Sequence, residues 1–301
     1  MYFFKESVLK KIKVNETKPI IIKNFLTQKE INQLIKIEHN STYFVDRDDG
    51  RKRSLGLIGN KPVRNINRWH PTIKKILANK IKKIFPKTII PKDEFPPHFF
   101  FTKYPTRLHA DTGVNSKAII YKQILIPLLS VPNNKEVRTI IFKEKWYGQA
   151  SFFKKKIEKK NEKDFFLYDT KNNLIKIDNI KIFYKNIKNL NGFYKYKNKY
   201  FFKIDKLFKK KIIQILKKKS YNVTTNKHIK KNQKFNLKYY KKYLSHQSID
   251  DFKGLTVDLN YKWKPGEALI WDRTRIHSSD NYLINGVKKK LAIAIFFNIK
   301  N

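Results

Sequence analysis

Three side chains in this sequence combine types and spacing suited to divalent-metal chemistry. His109 and Asp111 lie one residue apart in FFFTKYPTRLHADTG. On extended backbone, residues i and i+2 project to the same face, so that strand offers an imidazole and a carboxylate together. His277 lies far downstream in WKPGEALIWDRTRIHSSDN. Two imidazoles and one carboxylate form the 2-His-1-carboxylate facial triad, which holds non-haem Fe(II) and leaves the opposite coordination positions open. The chain has no cysteine, so no thiolate competes for the role of ligand and no disulfide framework exists.

An HxD tripeptide is uninformative alone in a chain with seven histidines. The order of elements around it carries the inference. An aromatic strand is expected to end at His109-Ala110-Asp111, Thr112-Gly113 turns the chain, and Ala118 to Leu129 (AIIYKQILIPLL) reads as a near-continuous apolar strand. Tyr121 and Gln123 share one phase of that strand, where either side chain can donate a hydrogen bond to a bound ligand. A short strand follows at Thr139 to Phe142. Near the C-terminus Pro265-Gly266 is a turn dipeptide and Ala268 to Trp271 a buried strand. Asp272-Arg273-Thr274 breaks that strand, and His277 is expected in a polar loop. Asn285-Gly286 turns into the apolar run Leu291 to Phe297.

This arrangement resembles the Fe(II)/2-oxoglutarate-dependent oxygenases with a double-stranded β-helix core, nearest to the phytanoyl-CoA and prolyl hydroxylase groups. The matching features are HxD, then a Pro-Gly turn, an apolar strand with Asp272, His277, and a Gly-x-basic step, Gly286-Val287-Lys288, into the last strand. The resemblance covers 95–150 and 255–299. It implies an α+β protein with a jelly-roll core, and a dioxygenase that couples 2-oxoglutarate decarboxylation to oxidation of an unidentified substrate by O2. It further implies that His109, Asp111 and His277 are the Fe(II) ligands, and that a basic residue on the last strand binds the distal carboxylate of 2-oxoglutarate. Lys288 fits that place, strand alternation puts Lys290 in the same phase, and Lys289 should point the other way with Leu291 and Ile293. Lysine departs from the arginine of the wider family, holding the carboxylate as a point charge rather than by a bidentate fork.

Supporting elements are legible outside the core. KPIIIKNFL (18–26) reads as a strand leading to a helix, with Thr27 and Glu30 as a capping box and Ile31, Leu34 and Ile35 as its inner stripe. Residues 41–67 read as a polar loop in which Asp48-Asp49-Gly50 turns and Arg51, Lys52 and Arg53 are solvated. Pro71 to Phe85 reads as a second amphipathic helix that buries Ile73, Ile76, Leu77, Ile81, Ile84 and Phe85. His98 is expected as a packed or capping residue, and His246 has no assigned role. The domain reading is 1–94 as supporting strand and helices, 95–150 and 255–301 as one catalytic core, and 151–254 as a lysine-rich insertion. Within the insertion 174–184 alternates like a strand or hairpin, 206–219 reads as an amphipathic helix, and Phe235 to Leu244 as a helical or turn segment.

The formal net charge is +44, and Ser151 to Lys230 holds 24 Lys against 6 Asp and Glu. Such a surface attracts polyanions, and nucleic acid or another polyanion is the candidate partner through 151–230. Overuse of Lys, Asn, Ile, Phe and Tyr also fits an AT-rich coding sequence, with no selection for a basic surface. No window approaches the roughly 18 apolar residues of a membrane span, so the expectation is a soluble, cytoplasmic protein without membrane attachment. Two alternatives come from other classes: a non-catalytic jelly-roll protein that binds a metal or sugar-like ligand, and a basic nucleic-acid-binding protein with incidental histidines.

Overall fold

Apolar runs and period-two alternation resolve into two packed sheets in the computed structural model. It describes residues 10, 13–14, 16–39, 43–45, 52–54, 57–58, 61–62, 71–85, 98–111, 118–147, 151–153, 165–168, 174–177, 180–186, 195–196, 199–200, 222–224 and 233–300. The chain enters through β1 (Ile20–Ile22) and α1 (Gln28–His39). The capping box at the start of α1 forms as expected: the Thr27 amide donates to Glu30 Oε2 at 2.8 Å and the Glu30 amide to Thr27 Oγ1 at 3.3 Å. Short strands β2 (Tyr43–Val45) and β3 (Lys52–Ser54) and a hairpin of β4 (Leu57–Ile58) and β5 (Lys61–Pro62) precede α2 (Pro71–Ile84). Proline at the first helical position of α2 sacrifices no intrahelical hydrogen bond.

The core follows as β6 (His98–Thr102), β7 (His109–Ala110), β8 (Ala118–Val131) and β9 (Arg138–Lys145). Next come β10 (Ser151–Phe153), β11 (Phe165–Tyr168), β12 (Leu174–Ile177), α3 (Ile180–Asn186), a hairpin of β13 (Lys195–Tyr196) and β14 (Lys199–Tyr200), β15 (Asn222–Thr224) and α4 (Leu237–Tyr243). The chain closes with β16 (Val257–Lys262), β17 (Ala268–Asp272), β18 (Arg275–Ser279) and β19 (Lys289–Lys300). A nine-stranded sheet has the order β1-β17-β8-β19-β6-β3-β2-β11-β12, and a six-stranded sheet the order β15-β10-β7-β18-β9-β16. Along the chain β6, β8, β17 and β19 fall in the first sheet while β7, β9, β16 and β18 fall in the second. Alternate strands therefore step between facing sheets, which is the winding of a jelly-roll β-helix.

Three apolar layers hold this arrangement. Leu125, Leu269, Trp271 and Ala292 of the larger sheet meet Ile141 and Tyr261 of the smaller one. On the other side of the larger sheet, Ile124, Ile126, Ile270, Ile293 and Ile295 pack under Ile31 and Leu34 of α1 and Ile73, Leu77 and Ile81 of α2. The outer face of the smaller sheet, with Ile140, Phe142 and Ile276, is covered by Leu244 and Phe252, with Tyr239, Tyr240 and Tyr243 of α4 packed against them. Full burial of each such side chain contributes about 1.5–3 kcal/mol, and the helices thereby fix the larger sheet.

Several expectations need correction. The aromatic stretch does not run into HxD as one strand: β6 ends at Thr102 in the larger sheet, and after the bend at Lys103-Tyr104-Pro105 the chain enters β7 in the smaller sheet. Lys52 and Arg53 are not loop residues but pair with Phe101 and Phe100 at the side of the larger sheet. His277 lies within β18 rather than in a loop. Residues 174–184 form a strand and then a helix. Segments between 151 and 254 contribute β10 and β15 to the smaller sheet and β11 and β12 to the larger. The turns at 48–50 and 112–113 and the helix expected over 206–219 lie outside the described residues. Among the described residues no helix is long and apolar enough to cross a membrane.

Candidate metal centre

Strand pairing brings the two halves of the triad together. β7 and β18 are antiparallel neighbours in which His277 stands directly opposite His109. Direct cross-strand partners have Cβ atoms about 4.5–5.5 Å apart, which suits two imidazoles converging on one ion. Their ring centroids are 4.2 Å apart with planes inclined by 51°. Asp111, two residues past His109, places Oδ2 3.2 Å from His277 Nε2 and Oδ1 3.6 Å from His109 Nε2. One ligand atom from each residue lies within 4.8 Å of the others. Adjacent ligands at roughly 2.1 Å from a common ion stand about 3 Å apart, so only a small contraction separates this set from a coordination face. The group fits a divalent cation with a mixed nitrogen and oxygen preference.

Backbone carbonyls decide which ring nitrogens are left available to an ion. His109 Nδ1 lies 2.6 Å from the Arg107 carbonyl, and His277 Nδ1 lies 3.0 Å from the Arg275 carbonyl. A carbonyl only accepts, so each Nδ1 carries the proton and each Nε2 keeps its lone pair for a metal. Both carbonyls belong to the residue two before the histidine, so the local strand geometry sets both tautomers. Burial of Asp111 raises its pKa, while His109 and His277 in their protonated forms and the Arg273 guanidinium pull it the other way and hold the carboxyl below its usual range.

The facing sheet supplies the walls. Trp271 packs edge-on against His277 with ring centroids 5.1 Å apart, and Gln123 stands opposite Trp271 in the β17–β8 register. Gln123 is buried, and its Oε1 has no hydrogen-bond partner among the described residues. Phe296 pairs with Gln123 on the other side, and the Arg273 guanidinium lies 4.4 Å from the Phe296 ring centroid. Arg273 Nη2 donates to the Asp111 carbonyl at 2.5 Å.

Lys290 extends the interior in the other direction. It is 2% exposed, with Nζ 4.5 Å from the Trp263 ring centroid and 4.8 Å from that of Tyr282. Trp263 Nε1 donates to Thr139 Oγ1 at 2.8 Å, and Thr139 stands opposite Ser279 as Ile141 stands opposite His277. The strand position opposite Thr139, Ser279, is therefore one two-residue step along β18 from His277, roughly 6.5 Å. Burial pushes the Lys290 ammonium down, and the buried Asp280 carboxylate partly restores it. Burial likewise pushes Asp280 up against the opposing pull of Lys290 and Arg138.

The expected site residues thus separate. His109, Asp111 and His277 converge, and Gln123 lies on the same interior face. Tyr121 is a residue of β8 whose side chain lies outside the description, as does that of His98. Lys288 is exposed and precedes β19, its amide donating to the Val131 carbonyl at 2.7 Å, so it does not share the interior phase of Lys290. Lys289 points outward over Phe101 at 5.7 Å, as expected. His246 is half-buried with Nε2 3.5 Å from Ser278 Oγ, and burial lowers its pKa to about 4, so it is uncharged at neutral pH. Sequence reasoning missed Arg273 and Asp280. The available signal was charged residues in the breaks that flank the strand of a ligand.

No protein-family model matches the sequence, and no curated protein matches it. Solved structures of low identity do align with the chain. SnoK, a non-haem alpha-ketoglutarate-dependent carbocyclase from nogalamycin biosynthesis, aligns at 8% identity over 98% of this chain and 84% of its own, with a TM-score of 0.39. HygX from Streptomyces hygroscopicus, solved with nickel and 2-oxoglutarate, aligns at 9% identity over 98% and 87%, with a TM-score of 0.39. YcfD, a ribosomal oxygenase from Escherichia coli, solved with cobalt and 2-oxoglutarate, aligns at 8% identity over 100% and 54%, with a TM-score of 0.35.

Proposed function

We propose that the protein is an Fe(II)- and 2-oxoglutarate-dependent dioxygenase acting on a substrate not yet identified. The observation that carries this is the convergence of His109, Asp111 and His277, with both Nδ1 atoms tied to carbonyls so that both Nε2 atoms are free to ligate. A bound Fe(II) would supply oxygen activation coupled to oxo-acid decarboxylation. The chain's own groups have separate tasks. His109, Asp111 and His277 hold the metal by one face and leave the other open. Lys290, rather than Lys288, takes the distal carboxylate, because Lys290 is buried beside Trp263 whereas Lys288 is exposed. Gln123, level with Trp271 on the facing sheet, is the hydrogen-bonding group on that wall, with Tyr121 as the second candidate. Trp271 and Phe296 keep water from the reacting face.

Succinate formation from 2-oxoglutarate in air with Fe(II), compared between the native protein and His109→Ala, tests this reading. Turnover above the variant supports the oxygenase. No succinate above the variant favours a jelly-roll protein that binds a metal without catalysis.

A further inference from the structure

The break between β17 and β18, which holds Arg273 and Thr274, is fixed from both sides. On the outer side Asp272 is buried, accepts from Lys122 Nζ through Oδ1, and takes the Thr17 amide on Oδ2 at 2.9 Å. Lys122 also donates to Thr17 Oγ1 at 2.7 Å. Arg275 pairs with Asp258 and donates through Nη2 to the Thr17 carbonyl at 3.2 Å. Strand ends and the N-terminal segment therefore hold the residues before and after the break in one polar cluster.

Arg273 projects the opposite way, into the interior. It is 4% exposed, its planar group lies over Phe296, and Nη2 reaches the main-chain carbonyl of Asp111 across 162 residues of sequence. That carbonyl belongs to Asp111 itself, one residue past the end of β7. The same break leads directly into Arg275, whose carbonyl sets the His277 tautomer. Arg273 is thus a direct link from the strand of the third ligand to the strand of the first two, in addition to the single β7–β18 register pair.

We propose that Arg273 is a positioning residue for the metal centre: its hydrogen bond to the Asp111 carbonyl, with the guanidinium braced on Phe296, holds the His109–Asp111 pair in register with His277. The inference rests on the metal-centre reading above. Charge and geometry act with opposite signs here, which makes the role measurable. A guanidinium beside a ligand carboxylate repels a dication, so removing the charge alone would tighten metal binding. Removing the brace would weaken it, because partners that orient metal ligands typically account for about 10–100-fold in affinity. Lysine keeps the charge but cannot both stack flat and donate in its own plane, so it does not replace arginine here.

The experiment is anaerobic titration of the full-length protein with Co(II) alone, read by the ligand-field absorption of the bound ion, for the native chain, Arg273→Gln, Arg273→Lys, Phe296→Leu and His277→Ala. The expected result is binding weakened about 10–100-fold in both Arg273 variants, with altered band intensity as the coordination geometry loosens. Phe296→Leu keeps the arginine and removes its brace, and should weaken binding by about 3–10-fold, which tests the same link should the Arg273 variants fail to fold. Native-like or tighter binding in Arg273→Gln, native affinity in Arg273→Lys, or native affinity in Phe296→Leu where the Arg273 variants do not fold, overturns the positioning role and leaves the metal centre standing. Co(II) binding that is absent from the native chain, or unchanged in His277→Ala, removes the metal centre and this inference with it.

Discussion

Replacing Lys290 by methionine should make the protein more stable while abolishing its hold on 2-oxoglutarate. Burial lowers the Lys290 pKa from 10.5 to about 8. Between those values the unfolded chain binds more protons than the native one, so this group makes stability rise with pH across pH 8 to 10.5. Below pH 8 the full cost applies, about 3 kcal/mol at about 1.4 kcal/mol per pH unit. Methionine fills a similar volume between Trp263 and Tyr282 without a charge to desolvate. The pull of Asp280 is already counted in that value, so any proton Asp280 takes up after the substitution adds to the gain and does not offset it. The net expectation is a gain of about 3 kcal/mol at pH 7 that vanishes by about pH 10.5. Urea unfolding of both proteins at pH 7 and pH 10 measures the difference and cancels the titrating groups that do not interact with Lys290. With Mn(II) present, 2-oxoglutarate at 100 times its Kd should stabilise the native chain by about 2.7 kcal/mol and leave Lys290→Met unmoved. A Lys290→Met protein that is less stable at pH 7, or whose difference from native does not change with pH, refutes the argument.

Other expectations follow from backbone and charge. Gly266 has φ +83°, and a Cβ there would meet the Leu26 carbonyl oxygen at 2.8 Å, whereas Gly286, at φ +79°, has nothing within 4 Å. Gly266→Ala should therefore cost clearly more than the roughly 1 kcal/mol of Gly286→Ala in urea titrations, and equal costs would show that the contact relaxes freely. Lys122→Ala removes the nearer cation of the buried Asp272 and leaves Arg275 Nε at 3.9 Å, and should lower unfolding free energy by about 3 kcal/mol; a loss under 1 kcal/mol contradicts the buried pair. Metal affinity should fall as pH drops from 7 to 5, because the ion competes with protons for both Nε2 atoms. Isothermal titration at several pH values reads the proton release, and pH-independent affinity would exclude imidazole ligation.

The triad was readable in the sequence because its three residues are fixed by strand periodicity and by the order of strands, both of which composition cannot mimic. The capping box at Thr27 and the stripes of α1 and α2 were readable because they are local. The polar strand around His277 was not, since Ser278 and Ser279 satisfy their hydroxyls on main-chain carbonyls inside the sheet and so look like loop residues in one dimension. The division of the aromatic stretch comes at the bend at Lys103-Tyr104, after which the chain enters the opposite sheet. Lys290 and Lys288 differ because the turn at 282–286, closed by the Val287 amide on the Tyr282 carbonyl, decides where β19 starts. Arg273 acts on a backbone carbonyl 162 residues away, and no sequence pattern encodes such a partner.

The central claim is that side chains from two strands distant in sequence share one ion. Anaerobic equilibrium dialysis against Fe(II) of the native chain, Asp111→Ala and His277→Ala tests it most directly. One tightly held Fe(II) per native chain, lost in both variants, is the predicted result, and retention by His277→Ala of the iron that Asp111→Ala loses would contradict it.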